Sequence, residues 1–527
     1  MLQLNIIHTE MLKKNLFNPK NIIYLFLSFM VFSCSNKISK SNASAIDFCS
    51  SIHRNDSLSF SKELEPVEKQ MRDKTGVYVL EDGGGSMVVR AWLSEYAEKT
   101  IDIQYFIFST DNVGLIACDY LIRAADRGVK VRLLVDDIMV EADGHELLMM
   151  DSHENIEIKV YNPGVNLGKN LFSRISKFAT DFQSANQRMH NKTFTVDGKV
   201  TITGGRNIAD EYFDYDHEYN FRDRDVLLLG REVIQVTNSF NSFWENKLSA
   251  PVKSLVKIDS NVYNNSNRFE KLHQYACNPT NFWPQVRERI KNLPSAFKSI
   301  QESGKIVWLD SVNFISDIPG KNNGDKGLNG GGATTDSLIN LVKSAKHSID
   351  IQSPYLITTA LSQNLFKAAI DRGVKIRILT NSLASTDNLE AFSAYQKDRE
   401  NLLKAGVKIY EFKPDAVERY KIMTGALQEK INFTPIFGLH AKSMVIDGNT
   451  TVIGTFNLDP RSANLNTECI AVIYSKQIAT GVLNGMEIEF KNENSWETTL
   501  KFNPDSKVNN KKRMMTFTKK IFPKSIL

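Results

Sequence analysis

The chain has 527 residues and a formal net charge of +5 at pH 7, but that charge is concentrated at its ends. Residues 1–33 carry +2 and residues 507–527 carry +7, so subtracting both from the total leaves −4 for residues 34–506. A body that is acidic in sum argues against a nucleic-acid groove, which needs a basic face.

At the N-terminus, Lys13, Lys14 and Lys20 flank an apolar run from Ile22 to Phe32, closed by Val31-Phe32-Ser33-Cys34. This is a secretory signal pattern, with Met11 as an alternative start. The cysteine after a small residue resembles a bacterial lipoprotein lipobox. An uncleaved anchor is the other reading, although the run is short for a spanning helix. Residues 1–33 are therefore expected to be a signal peptide, Cys34 the lipidated residue, and 34–75, rich in Ser, Asn and Lys, a tether.

Gly83-Gly84-Gly85 lacks the Walker pattern and its lysine, and reads as a turn before a helix. The first half then runs helix, apolar strand at Ile101-Asp102-Ile103-Gln104, helix, and a strand after Asp126-Arg127-Gly128-Val129-Lys130-Val131-Arg132. The alternating stretch from Met189 to Val196 reads as another strand. Asp197-Gly198 is a hairpin signal, and Lys199 to Thr203 is the return. Ser254 to Asn265 and Pro319 to Gly332 are polar or Gly-rich loops; the second is long enough to border an active site and is otherwise a plain surface loop.

The second half repeats the first. Ile349-Asp350-Ile351-Gln352 and Asp371-Arg372-Gly373-Val374-Lys375-Ile376-Arg377 recur in the same order, followed by a strand from His440 to Ile446, a turn at Asp447-Gly448 and a return through Thr451 to Ile453. The alternation predicts an α/β chain of two pseudo-twofold related α/β/α lobes, each a mostly buried mixed sheet flanked by helices. The lobes are expected at 76–250 and 300–500, joined by an inter-lobe segment at 251–299.

Both hairpins carry H-x-K-x4-D, as His190, Lys192, Asp197 and as His440, Lys442, Asp447. Each is followed by G-x-x-N, ending at Asn207 and Asn457. Side chains at i and i+2 share a strand face, so each His and Lys point together. The hairpin brings each Asn back beside them, whereas each Asp belongs to the turn and is read as structural. Neither half holds all six groups His190, Lys192, Asn207, His440, Lys442 and Asn457, which implies one site at the interface of the lobes.

Those groups fit attack on a phosphodiester. One imidazole attacks phosphorus and forms a covalent intermediate, the other protonates the leaving oxygen, and water or an alcohol completes the exchange. The lysines and asparagines hold the nonbridging oxygens as charge builds. This chemistry calls for no metal or other cofactor. Carboxylates are needed to orient the histidines. Asp225 and Glu468, at the starts of the next apolar strands, are the candidates, with Asp223 competing with Asp225.

Of five cysteines, Cys49, Cys118, Cys277 and Cys469 remain beside Cys34. One pair can bridge in an oxidising compartment, but the spacing does not say which; Cys118 and Cys469 lie in apolar segments and read as small hydrophobes. The tail, 501–527, mixes its cations with Met514, Met515, Phe517, Ile521 and Phe522. It reads as a basic amphipathic membrane-surface segment or as a disordered end.

The paired motifs resemble the phospholipase D superfamily over about residues 76–500. Asn186-Gln187-Arg188-Met189-His190-Asn191-Lys192, Gly204-Gly205-Arg206-Asn207-Ile208 and Asn457-Leu458-Asp459-Pro460-Arg461-Ser462 resemble the C-type bacterial cardiolipin synthases. The resemblance implies phosphatidyl transfer between phospholipids. The substrate would be phosphatidylglycerol, with or without phosphatidylethanolamine, at a membrane surface facing the periplasm, and no nucleic acid. It also implies that His190 is the nucleophile and His440 the acid/base, although the pseudo-symmetry permits the reverse. A phospholipase D that hydrolyses to phosphatidic acid, and a nuclease, are the alternatives.

Overall fold

The computed structural model describes residues 48, 59–140, 144–167, 186–256, 267–321, 329–423 and 435–527. The signal segment, Cys34 and most of the expected tether lie outside them. Residues 60–73, expected as the end of that tether, instead form two short helices joined by a 3-10 turn that bury Phe60, Leu64, Val67 and Met71 in the first lobe. Their polar neighbours disguise an apolar set spaced for one helix face.

Two large mixed sheets carry the fold. The first runs β10 (Val307–Leu309), β1 (Thr75–Leu80), β8 (Asp225–Gly230), β6 (Val200–Gly204), β5 (Thr193–Val196), β2 (Thr100–Tyr105), β3 (Lys130–Asp136), β4 (Ile156–Tyr161) and β9 (Ser249–Pro251). The second runs β11 (Val312–Ser316), β18 (Cys469–Tyr474), β17 (Thr450–Gly454), β16 (Ser443–Ile446), β12 (Ser348–Gln352), β13 (Lys375–Asn381), β14 (Lys408–Phe412) and β19 (Ser495–Thr498). A small third sheet joins the halves, with β7 (Tyr219–Arg222) parallel to β15 (Ile436–Leu439).

Helices cover both faces of each sheet, because strand residues alternate between two apolar surfaces. In the first lobe α1 (Gly83–Tyr96) and α2 (Asn112–Asp126) share a core with Ile101, Ile103, Leu227 and Leu229. Aromatic residues of α3 (Val233–Trp244) pack with Leu134 and Tyr161. In the second, α4 (Ala333–Ser344), α5 (Ala360–Asp371) and α6 (Leu389–Ala405) cover Ile349, Ile351, Ile376 and Ile378. The face of α7 (Lys476–Glu489) formed by Ile478, Val482 and Met486 joins Ala471 and Ile473 with Val77, Val226 and Leu228 of the first sheet. One core therefore spans both lobes. Gly83, Gly84 and Gly85 are the first turn of α1 rather than a turn before it, because Asp82 caps the Gly85 N–H.

The repeated sequences have repeated physical jobs. Asp102 pairs with Arg132 across β2 and β3 (2.7 Å), as Asp350 pairs with Arg377 across β12 and β13 (2.5 Å). Gly128 and Gly373 close the turns before β3 and β13 at φ of 92° and 91°, a region that favours glycine.

Asp197 and Asp447 stand at left-handed φ values of 52° and 53° at the hairpin tips. The Asp197 carboxylate accepts from the N–H groups of Glu98, Lys99 and Thr100. Asp447 accepts from Lys346, His347 and Ser348. Each ties its hairpin to the entrance of the neighbouring strand. Asp197→Ala is expected to cost about 2 kcal/mol of stability, read by thermal unfolding, and to leave kcat per folded molecule within about twofold. A collapse of kcat at unchanged stability would put this carboxylate in the chemistry.

Candidate active site

The ladder of each motif hairpin begins at Thr193 and at Ser443, after the His and Lys rather than before them. The preceding residues leave their own sheet to pair with the other half. Met189 bridges Thr467 in parallel, the His190 N–H donates to the Thr467 carbonyl, and the Thr467 N–H donates to the Arg188 carbonyl. On the other side β15 delivers His440, whose N–H donates to the Arg222 carbonyl.

These crossings decide which carboxylate meets which histidine. Glu468 follows Thr467, and its Oε2 lies 2.8 Å from His190 Nδ1. Asp223 follows Arg222, and its Oδ2 lies 2.6 Å from His440 Nδ1. Each histidine is therefore held by the opposite half. With Nδ1 bonded to a carboxylate, the proton resides there and the Nε2 lone pair is left for chemistry.

The expectation for Asp225 is corrected: Asp223 takes the orienting place. Sheet register gives the reason. Gly204 opposes Asp225 across β6 and β8, while Gly454 opposes Ile470 across β17 and β18, so Asp225 corresponds to Ile470 and Asp223 to Glu468. Asp225 turns toward α1, where it accepts from Ser86 Oγ (2.8 Å) and Arg90 (3.0 Å). Asp223 lies 19 residues after Gly204 but Glu468 only 14 after Gly454, so no fixed spacing in the sequence marks the pair; the register does. A Cβ at Gly205 would lie 2.1 Å from Asp223 Oδ1. At the matching Thr455 the hydroxyl instead donates to Glu468.

Both lysines are buried beside the histidines. Lys192 Nζ donates to the His190 carbonyl (2.9 Å), and Lys442 Nζ lies 2.9 and 3.0 Å from the His440 ring nitrogens. Phe106 sets its ring edge-on to His190, and Tyr212 and Phe221 pack on His440. No local pattern in the sequence marks these aromatics. Asn207 accepts from the Ile107 N–H (3.1 Å) and bonds the Tyr212 hydroxyl. Asn457 is buried, and its Oδ1 has no hydrogen-bond partner among the described residues.

A polar frame of buried arginines around the part-exposed Glu81 joins the halves beneath Asp223. Glu81 accepts from Arg222 (2.7 Å) and Arg224 (2.9 Å), the two residues that flank it. Arg224 also donates to Gln352, the last residue of the repeated I-D-I-Q, and to Ser443 (2.9 Å). Glu468 has its own support, since Asp317 accepts from its N–H (3.0 Å) and pairs with the buried Lys321 (2.7 Å). Paired and hydrogen-bonded in this way, the buried charges avoid most of their desolvation cost.

Electrostatics suit an anionic substrate. Burial pushes His190 down to about 4 and His440 to about 3, against the opposing pull of Glu468 and Asp223, so both are neutral near pH 7. Burial also lowers Lys192 to about 7, helped by the charge of Lys442, and lowers Lys442 to about 8. Burial works to raise Asp223, but His440 and Lys442 hold it well below the usual carboxylate range. Free lysines here lose charge as pH rises through 7–8, and a bound anion restores it. Inorganic phosphate or tungstate added at pH 8 is thus expected to draw up to about one proton from the buffer. Calorimetry in two buffers of different ionisation enthalpy reads that uptake; zero uptake or net release contradicts it. Among the described residues no group of three or more His, Cys, Asp or Glu side chains is placed to hold a metal ion.

Comparison with known proteins shows the family. A family model described as the cardiolipin synthase, PLD-like domain matches residues 94–244 and 338–488, once in each half. Cardiolipin synthase C of Escherichia coli is 33% identical over 436 residues, 82% of this chain and 89% of that one. Cardiolipin synthase 1 of Bacillus cereus is 27% identical, covering 86% of this chain and 73% of that protein. In fold, the chain is similar to a phosphatidylserine synthase from Haemophilus influenzae, with a TM-score of 0.55 at 12% identity, covering 88% of this chain and all of that one.

Proposed function

The chain belongs to the PLD-like family of the cardiolipin synthases, and from that premise we propose that it is a phosphatidyltransferase that makes cardiolipin from phosphatidylglycerol. The observation that carries this reading is the pair of histidines in one buried site, each held at Nδ1 by a carboxylate of the other half. His190 attacks phosphorus through Nε2 while Glu468 stabilises the imidazolium that forms. His440, which takes up a proton on Nε2 when the phosphate anion binds, gives that proton to the departing glycerol oxygen, then removes the proton of the incoming alcohol. Lys192, Lys442, Asn207 and Asn457 bind the nonbridging oxygens, where preorganised donors in a water-poor site act strongly. Asp197 and Asp447 stay outside the chemistry.

The domain assignment proposed follows the sequence reading, with lobes at 76–250 and 300–500 around a segment at 251–299 behind a signal peptide at 1–33, except that residues 60–73 and Val307–Leu309 go with the first lobe. Lipidation at Cys34 would tether the enzyme to a bacterial envelope membrane on its periplasmic side. A disulfide at Cys277 supports an oxidising compartment, while Cys118 and Cys469 are free. No helix among the described residues is long and apolar enough to cross a membrane.

Purified protein incubated with phosphatidylglycerol, with and without phosphatidylethanolamine, tests the reading by mass spectrometry of the lipids. Cardiolipin that depends on both histidines is expected. Phosphatidic acid alone would make the enzyme a hydrolase, and DNA cleavage without lipid turnover would defeat the lipid reading. The intact mass of Cys34→Ala should lack acyl chains; an unchanged mass would exclude lipidation there.

A further inference from the structure

The C-terminal segment folds back onto the second lobe and leaves an apolar surface uncovered. Helix α8 (Asn510–Thr518) buries Thr516 against the body, while Met514, Met515, Phe517, Ile521 and Phe522 are 66%, 44%, 68%, 82% and 36% exposed. Met514 and Phe517, three residues apart, share one helix face. Lys520 lies over the Phe517 ring at 5.4 Å and Lys519 over Phe522 at 5.8 Å. With six Lys, one Arg and no acidic residue in 507–527, the patch is strongly cationic.

The anchoring of this segment places the patch. Lys512 Nζ donates to the Ala384 carbonyl (3.3 Å), and Lys519 pairs with Glu390 (2.6 Å). Lys524 pairs with Asp398, and Lys397 donates to the Lys520 carbonyl. Ala384 belongs to the loop that carries Asp387, an exposed residue hydrogen-bonded to Tyr355 (2.8 Å) and near enough to Lys442 for its charge to be felt. The final carbonyls at Ile526 and Leu527 accept from Arg461, which also binds Asn186 just before the His190 strand. The tail is thus fastened to the rim of the active site at two places.

We propose that Met514, Met515, Phe517, Ile521 and Phe522, among Lys511, Arg513, Lys519 and Lys520, seat the enzyme on an anionic phospholipid bilayer and hold the active-site rim against it. Exposed apolar side chains enter the boundary between headgroups and acyl chains while long cationic stems reach the phosphates, so both contributions act on one short segment. This rests on the phospholipid reading above and adds the part of the chain that meets the membrane. A tether at Cys34 would confine the enzyme to the surface, whereas this patch would orient it.

Hydrogen–deuterium exchange on the full chain tests the seat locally, whatever the N-terminus does. Vesicles of phosphatidylglycerol are expected to slow exchange across 510–522, and vesicles of phosphatidylcholine much less. Unchanged exchange there with phosphatidylglycerol overturns the proposal, and equal slowing by both removes its electrostatic half. The F517E/I521E variant is expected to lose at least about tenfold in turnover of vesicle lipid while turning over monomeric short-chain phosphatidylglycerol like the parent chain. Full turnover on vesicles also overturns it. If the parent chain turned over no phospholipid in either form, the functional reading would fall, and the exchange experiment alone would decide this one.

Discussion

His190→Ala and His440→Ala should each abolish phosphatidyl transfer, with losses of at least about a thousandfold. The double variant should be no worse than either single one, because the two residues act in one sequence of steps. The leaving group separates their roles. A p-nitrophenyl phosphatidyl ester departs without a proton, so His440→Ala should still release one equivalent of nitrophenol in a burst. His190→Ala should release none. A burst in His190→Ala that is absent in His440→Ala would reverse the assignment, and bursts in both would remove histidine as the nucleophile.

The second large effect concerns the carboxylates. Glu468→Gln and Asp223→Asn keep size and packing but lose the charge that fixes the ring tautomer and stabilises the imidazolium. Losses of about a hundredfold to ten-thousandfold are expected. Their specificity is the sharper test, because each carboxylate serves the histidine of the other half. Glu468 and His190 are 278 residues apart in the chain. With the p-nitrophenyl ester, Asp223→Asn should recover most of its first-step rate, since it impairs only the proton donor. Glu468→Gln should stay slow, since it impairs the nucleophile. Equal recovery in both would contradict the crossed pairing, and a folded variant with full activity would remove the carboxylate from the site.

Much of this site is legible in the sequence because its parts repeat at short spacing. The two hairpins, their Asp-Gly turns and the structural role of Asp197 and Asp447 follow from strand alternation and turn chemistry. The recurring D-R-G-V-K segments mark equivalent helix-to-strand turns. What crosses between the halves is not legible in that way. The pairing of Met189 with Thr467, and of β15 with β7, joins residues whose local patterns carry no trace of their partner. Asp225 looked like the counterpart of Glu468 because both precede apolar runs, yet sheet register places it two residues too late. Residues 60–73 read as tether because four core positions, Phe60, Leu64, Val67 and Met71, are scattered among many polar ones, although they complete a core. Val307–Leu309 is a similar case: it follows the inter-lobe segment in the chain but pairs with β1 of the first sheet.

The central claim, one site made by both halves and working through phosphohistidine, has a direct measurement. His440→Ala mixed with the p-nitrophenyl phosphatidyl ester can be denatured at neutral pH, where a phosphohistidine survives, and digested for peptide mass spectrometry. A single phosphatidyl adduct on His190, absent from the Glu468→Gln/His440→Ala double variant at the same early time, is the expected result. An adduct on any residue other than the two histidines, or nitrophenol release with no adduct at all, would contradict it.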